Sequence, residues 1–362
     1  MEGAVTARPQ LLSLVTHAPP WSISQQDTLA ILPRLAGGSE GAGRFRQTVE
    51  RSRIERRLVE TPLDELERMS PGARSRVYER RVRDVSERLG RRALEAAGIA
   101  GTDITVVITV SCTGYMLPSV DAYIMPRLGI PPHARRVPIT ELGCSAGVGA
   151  IGLATELLSL RSGHALVVSV ELCSSCMQTR DLAPADVIGN ILFADAAAAA
   201  VIGPATTRHG PEILAARTVL WPDTADALGM WLSDTGLRLC LSPDLPEIVG
   251  DHLPGTLEDF LLANDVRRDD VDFWIVHPGG PRVLETVSER LHLAAHEVAS
   301  SWEVWRAFGN VSSATVFFIL EALRQRAPIA EGRLGVMMAF GPGLSCELAL
   351  LRAQGWLSHA GE

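Results

Sequence analysis

Pro138–Leu160 reads PITELGCSAGVGAIGLATELLSL. Its front half crowds Gly143, Ser145, Ala146 and Gly147 around one thiol, Cys144. Small side chains at a turn let the backbone bend sharply and let another group approach closely. Its back half, Ala150 to Leu160, is rich in helix formers and reads as a buried helix. A cysteine at the first turn of a helix lies over unpaired backbone N–H groups and the positive end of the helix dipole, which favours the thiolate. Taken alone, a free cysteine is more often an inert core residue. The case for a nucleophile rests on what surrounds this stretch.

Outward from it, the order of elements occurs twice. In the first half a long charged helix, Arg74–Ala97, leads through Asp103 to the strand TVVITV (Thr105–Val110), the loop SCTG and then the Cys144 helix. In the second half a helix over Thr256–Ala263 leads through Asp269 and Asp270 to VDFWIV (Val271–Val276), the loop HPGG and a helix beginning near Asn310. Cys112 and Cys144 are 32 residues apart, His277 and Asn310 are 33 apart. ALVVSV (Ala165–Val170) followed by ELCS matches LGVMMA (Leu334–Ala339) followed by FGPG, and ADAAAAAVIG (Ala194–Gly203) and SCELALLR (Ser345–Arg352) read as last strands. Continuous β-branched runs such as TVVITV belong to strands buried on both faces. Two copies of one α/β unit, residues 1–205 and 206–362, imply a pseudo-two-fold that brings equivalent loops to the centre. Upstream, the pattern predicts a strand over Leu11–Val15, a helix over Ser24–Leu32 and a strongly basic helical stretch from Arg44 to Val59.

The chain of 362 residues is long enough for one large or two ordinary domains with a real core. A hydrophobic content of 46% and 21% charged residues suit an α/β protein that is soluble. The net charge of −8 argues against a general nucleic-acid role. All 34 basic residues are arginine, which GC-rich coding explains as well as anything physical. Six cysteines, at 112, 144, 173, 176, 240 and 346, stand in no small secreted frame, so a reducing cytoplasm is expected rather than disulfides. No apolar leader of signal length and no membrane span is legible.

The chemistry suits the convergence. A thiolate needs a nearby proton acceptor or cation, which His277 at the mouth of an apolar strand can supply. An imidazole and the amide of Asn310 can together donate to an acyl oxyanion. Singly, a histidine at a strand end is more often structural, and an asparagine after glycine is more often a turn residue. Cys144, His277 and Asn310 at equivalent places of a duplicated fold make a stronger joint case for catalysis.

Four motifs in this order and spacing are specific: LGCSAG around Cys144, FWIVHPGGPRVLE around His277, FGNVSSATVFFIL around Asn310 and FGPGLSCELALLR near the end. VSCTGYMLPS and LFADAAAAAVIG add support. From about Arg44 to Gly355 the sequence resembles the type III polyketide synthases, the chalcone-synthase-like branch of the thiolase superfamily. The resemblance implies the five-layered αβαβα thiolase fold, built from two pseudo-duplicated halves, as a homodimer. It implies that Cys144 carries the acyl thioester while His277 and Asn310 promote malonyl decarboxylation and stabilise the enolate and oxyanion. Phe193 matches the family's gatekeeper between the coenzyme A tunnel and the cavity, and the second gatekeeper position falls on Leu239. Cys112, Cys173, Cys176, Met230 and Ser312 match cavity-lining positions. Arg44 and Arg51 match residues that hold the coenzyme A phosphates, with Gln47 in place of a third. Two departures, ADAAAA for GDGAAA and AFGPG for GFGPG, replace glycine by alanine and predict an altered loop shape near the site.

Cys173-x-x-Cys176 lacks the second CxxC or histidine pair of a zinc site, so no metal is expected. By the resemblance, coenzyme A thioesters are substrates, and no permanently bound cofactor is expected. A starter acyl-CoA loads Cys144, malonyl-CoA extends it, and the chain cyclises. The stretch from Pro222 to Val249 and LFAD are more similar to alkylpyrone and alkylresorcinol synthases, which take fatty acyl starters. The cysteines of VSCTG and LCSSC also resemble tetrahydroxynaphthalene synthase, which uses malonyl-CoA alone. Two further alternatives are a carrier-protein-dependent ketoacyl synthase III and a non-catalytic acyl-CoA-binding relative.

Overall fold

The structure, a computed structural model, describes residues 8–205, 209–326 and 328–357. The divide expected at 205/206 falls beside residues 206–208, outside the described residues.

In chain order the strands are β1 (Gln10–His17), β2 (Trp21–Ser24), β3 (Arg56–Val59), β4 (Ile104–Val110), β5 (Arg135–Ile139), β6 (His164–Leu172) and β7 (Asp195–Gly203). They continue with β8 (Glu212–Leu220), β9 (Leu228–Ser233), β10 (Gly236–Leu241), β11 (Val271–Val276), β12 (Leu334–Gly341) and β13 (Ser345–Arg352). Nine of them form one sheet in the order β11-β12-β13-β8-β1-β7-β6-β4-β5. The sheet is two related sheets end to end, joined between β1 and β8 at the single pair Gln10↔Glu212. In one, β4 lies parallel to β6, and β6 antiparallel to β7, which pairs with β1. In the other, β11 lies parallel to β12, and β12 antiparallel to β13, which pairs with β8. The duplication legible in the sequence is therefore a duplication of strand order and direction. Its exception is the edge strand β5, which has no counterpart in the second half among the described residues.

Three cores stack between and outside these sheets. The long helix Pro71–Ala97 covers the outer face of the first sheet with Val82, Val85, Leu89 and Ala93. Ser70 caps its N-terminus by accepting from the Ala73 N–H, and Gly98, left-handed at φ 69°, ends it. The helices Leu245–Leu262 and Pro281–Arg290 cover the outer face of the second sheet. Ala146–Ser159 and Thr315–Arg326 fill the middle and share one core with strands of both sheets. Five layers result, αβαβα, because strands that are apolar on both faces need helices on both. Among the described residues no helix is long and apolar enough to cross a membrane.

The basic stretch from Arg44 to Val59 is not one helix. The helix Ser39–Arg51 stops where Ser52 Oγ donates to the Val49 carbonyl and accepts from the Ile54 N–H, and Arg53 turns left-handed at φ 61°. The chain then runs on as β3, paired with β2. In the second half the helix expected over Thr256–Ala263 begins eleven residues earlier, at Leu245, and runs through Pro254.

Candidate active site

Cys144 lies in a tight turn, Gly143–Ser145, that leads from β5 into the helix Ala146–Ser159. Gly143 has φ 55°, and a Cβ there would fall 2.5 Å from Pro342 Cδ. Pro342 belongs to the turn between β12 and β13. In that turn a Cβ on Gly341 would fall 2.3 Å from Ser145 Oγ. Two turns, one from each half, thus interlock around the thiol, and only glycine permits the approach.

Asn310 arrives from the second half at the same point. Its N–H donates to the Leu192 carbonyl and its carbonyl accepts from the Ala194 N–H, both at 2.9 Å, which binds it backbone to backbone beside Phe193. Its Oδ1 accepts from the Ser312 N–H at 2.9 Å, and its Nδ2 donates to the Gly279 carbonyl at 3.3 Å. Its side chain also favours the thiolate form of Cys144. Ser312, left-handed at φ 51°, places its Oγ 3.6 Å from Cys144 Sγ and 3.3 Å from Cys112 Sγ. Asn310 does not open a helix directly, since a 3-10 turn over Ser312–Ala314 precedes the helix Thr315–Arg326.

His277 follows β11, its N–H donating to the Met338 carbonyl at 2.9 Å. The ring is buried, and Nδ1 has no hydrogen-bond partner among the described residues. Its loop is tied to the rest of the site where the Gly279 carbonyl accepts from Asn310 Nδ2. No hydrogen bond joins His277 to Cys144 among the described residues; the thiol's partner there is Ser312. Burial dominates both titrations. It pushes the Cys144 thiol up to about 12, while Ser312 and Asn310 oppose the shift, and it pushes the His277 imidazole down to about 4. The helix N-terminus expected to favour the thiolate therefore acts against a large desolvation cost.

Cys144 opens on a cavity that is itself open to solvent on one side. Cys112, Cys173, Cys176, Phe193, Met230, Leu239 and Ser312 all line it, whereas Arg44 and Arg51 are exposed on the helix Ser39–Arg51 and do not. Among the described residues no three His, Cys, Asp or Glu side chains stand together as metal ligands.

The chain matches the family description "Chalcone and stilbene synthases, N-terminal domain" over residues 53–206 and "Chalcone and stilbene synthases, C-terminal domain" over residues 212–354. This chain belongs to that family, the type III polyketide synthases. It is 39% identical over 265 residues to the 1,3,6,8-tetrahydroxynaphthalene synthase of Streptomyces peucetius subsp. caesius, covering 72% of this chain and 70% of that protein. It is 31% identical over 350 residues to the "alpha-pyrone synthesis polyketide synthase-like Pks18" of Mycobacterium tuberculosis, covering 92% of this chain and 88% of that one. The crystal structure of the tetrahydroxynaphthalene synthase of Streptomyces coelicolor superposes with a TM-score of 0.88 at 31% identity, over 97% of this chain and 99% of that one. The synthase is accordingly an acyltransferase of the decarboxylating, condensing kind.

The alanines that replace glycine stand in or beside strands rather than in strained turns. Ala194 and Ala196 adjoin or lie in β7, Ala339 lies in β12, all three are buried, and none has a positive φ. A Cβ is free of strain in extended backbone.

Four buried polar residues of the site escaped the sequence reading. Glu171 accepts from the Cys112 N–H at 3.0 Å, Thr113 Oγ1 at 2.9 Å and Ser313 Oγ, and burial raises its pKa. Asp195 accepts from the Glu60 N–H, the Ser174 N–H and Ser174 Oγ at 2.6–2.8 Å, tying the Cys173–Cys176 turn to the chain after β3; burial raises it to about 6. Arg57 donates to the Asn190 and Phe193 carbonyls at 2.7 and 2.9 Å, under the gate residue. Gln178 is the fourth. A charged residue inside or ending an apolar run, as in ALVVSVEL, is the signal that marks Glu171 in the sequence.

Proposed function

We propose that the synthase loads an acyl-CoA on Cys144, extends it with malonyl-CoA and cyclises it to alkylpyrone- or alkylresorcinol-type products. One observation carries this reading: a thiol bonded to the Ser312 hydroxyl opens on a cavity walled by Leu63, Met177, Leu228, Met230, Leu237 and Leu239. An apolar wall of that kind suits a hydrocarbon starter. Cys144 attacks the starter carbonyl, its proton passes to His277, and coenzyme A leaves as the thiol. A malonyl-CoA then loses CO2, and the resulting enolate attacks the Cys144 thioester, releasing the Cys144 sulfur and a β-ketoacyl-CoA. Asn310 and His277 donate to the oxygens that carry charge in these steps. Phe193 and Leu239 gate the cavity. Arg44 and Arg51, exposed cations on one helix, meet the coenzyme A phosphates. The halves divide near 205/206, and a homodimer in the cytoplasm with no resident cofactor is the setting. All six cysteines are free, as a reducing compartment requires.

A second reading, a synthase that uses malonyl-CoA alone, is favoured by the 39% identity to a tetrahydroxynaphthalene synthase. Incubation with malonyl-CoA and starters from acetyl- to long-chain acyl-CoA, read by mass spectrometry, separates the two. Product masses that track the starter are expected. One naphthalene-type product, formed at the same rate with any starter or none, would overturn the acyl-primed reading.

A further inference from the structure

One wall of the cavity is a hairpin that belongs to neither sheet. Among the described residues β9 and β10 pair only with each other, and Leu228, Met230, Leu237 and Leu239 face the cavity from them. A lone two-stranded hairpin is marginally stable, so its attachments decide where it stays. At its root the attachments are backbone bonds: the Ser242 N–H donates to the Ala227 carbonyl at 2.9 Å and the Gly343 N–H to the Leu228 carbonyl at 3.1 Å. At its tip they are side-chain bonds alone among the described residues. Thr235 Oγ1 donates to Gln178 Oε1 at 2.9 Å, and Gln178 Nε2 donates to the Leu237 carbonyl at 2.7 Å. Arg74 Nη2 reaches the Thr235 carbonyl at 3.4 Å, and Arg238 pairs with Asp186. Gln178 is 4% exposed, and Asn190 holds its backbone from both sides, accepting from the N–H at 3.2 Å and donating to the carbonyl at 2.8 Å.

We propose that Gln178 is a specificity-determining positioning residue, the latch that fastens the β9–β10 hairpin over the cavity and thereby limits the chain length the synthase retains. A hinge of backbone bonds at the root and a latch of side-chain bonds at the tip let the wall swing without losing its register. Gln178 reaches the hairpin through both polar atoms of its amide, so releasing it leaves Oε1 and the Leu237 carbonyl unpaired and Nε2 with only its 3.2 Å bond to the Cys176 carbonyl, a cost that keeps the wall closed. The inference rests on the polyketide synthase activity and is independent of which starter is used.

Gln178→Leu removes both bonds of the latch and Thr235→Val removes the one to Gln178 Oε1; the threonine does not line the cavity, so that variant carries the test where the leucine fails to fold. Amide hydrogen exchange of the free enzyme, read over 236–240, is expected to quicken at least tenfold in each. Product masses with malonyl-CoA and one fixed starter are expected to shift to chains longer by one or more extensions. Unchanged exchange in both variants would overturn the latch. Quickened exchange with an unchanged product distribution would overturn its role in chain length. The exchange is read without substrate, so a failure of the starter assignment leaves it intact.

Discussion

The turn Gly143–Ser145 and the turn Ser312–Ala314 occupy equivalent places in the two halves, and both enter through a left-handed residue, φ 55° at Gly143 and φ 51° at Ser312. The first is glycine, which adopts that conformation freely and leaves room for Pro342. The second is serine, for which a left-handed backbone costs roughly 1–2 kcal/mol. The cost is offset locally, since Asn310 Oδ1 accepts from the Ser312 N–H. What it secures is a hydroxyl between Cys144, Cys112 and, at 3.4 Å, Glu171. One backbone device has been used twice, once to clear space around the thiol and once to bring a hydrogen-bonding group to it.

Asn310→Ala breaks this comparison most severely, because it removes both the group that reaches Cys144 and the acceptor that steadies Ser312. Turnover is expected to fall roughly 10²–10³-fold in a steady-state assay, the effect of losing one oxyanion donor. Gly143→Ala attacks the other turn. Its Cβ meets Pro342 at 2.5 Å on a left-handed backbone, and a loss of about 2–3 kcal/mol in urea unfolding is expected. Ser312→Gly has the smallest effect on stability, less than about 1 kcal/mol either way, since relieved strain offsets the lost hydroxyl. Its turnover is expected to fall about tenfold, as for one lost hydrogen bond. A Ser312→Gly enzyme of unchanged turnover would show that the serine is kept for something other than the thiol.

The sequence was most legible where physics is local. Runs such as TVVITV and VDFWIV declare buried strands, and their repetition with matching loops declared the two halves before any contact was known. The positions of Cys144 and Asn310 followed from that repetition. Legibility failed where distant partners decide. Arg56 and Arg57 look like solvated helix, yet Arg57 is 3% exposed because it donates to carbonyls of Asn190 and Phe193 more than 130 residues away. Gln178 reads as an ordinary polar residue until the hairpin folds onto it. The edge strand β5, RRVPI, is too charged to resemble a strand, because it pairs on one side only.

The proposed mechanism requires that the two halves of the chain bring a nucleophile and its proton acceptor into one site. It is tested most directly by the pH dependence of Cys144 alkylation by iodoacetamide, in the unaltered enzyme and in His277→Gln. Burial, against the opposing Ser312 and Asn310 side chains, leaves the thiol pushed up to about 12, and burial pushes the imidazole down to about 4, so each charge needs the other. With His277 present, the thiolate is expected to form with a midpoint below the roughly 8.5 of a free cysteine. Without it, the midpoint is expected to rise by at least two pH units, toward the value burial dictates. Superimposable profiles in the two proteins would contradict the claim and leave His277 a structural residue at the end of its strand.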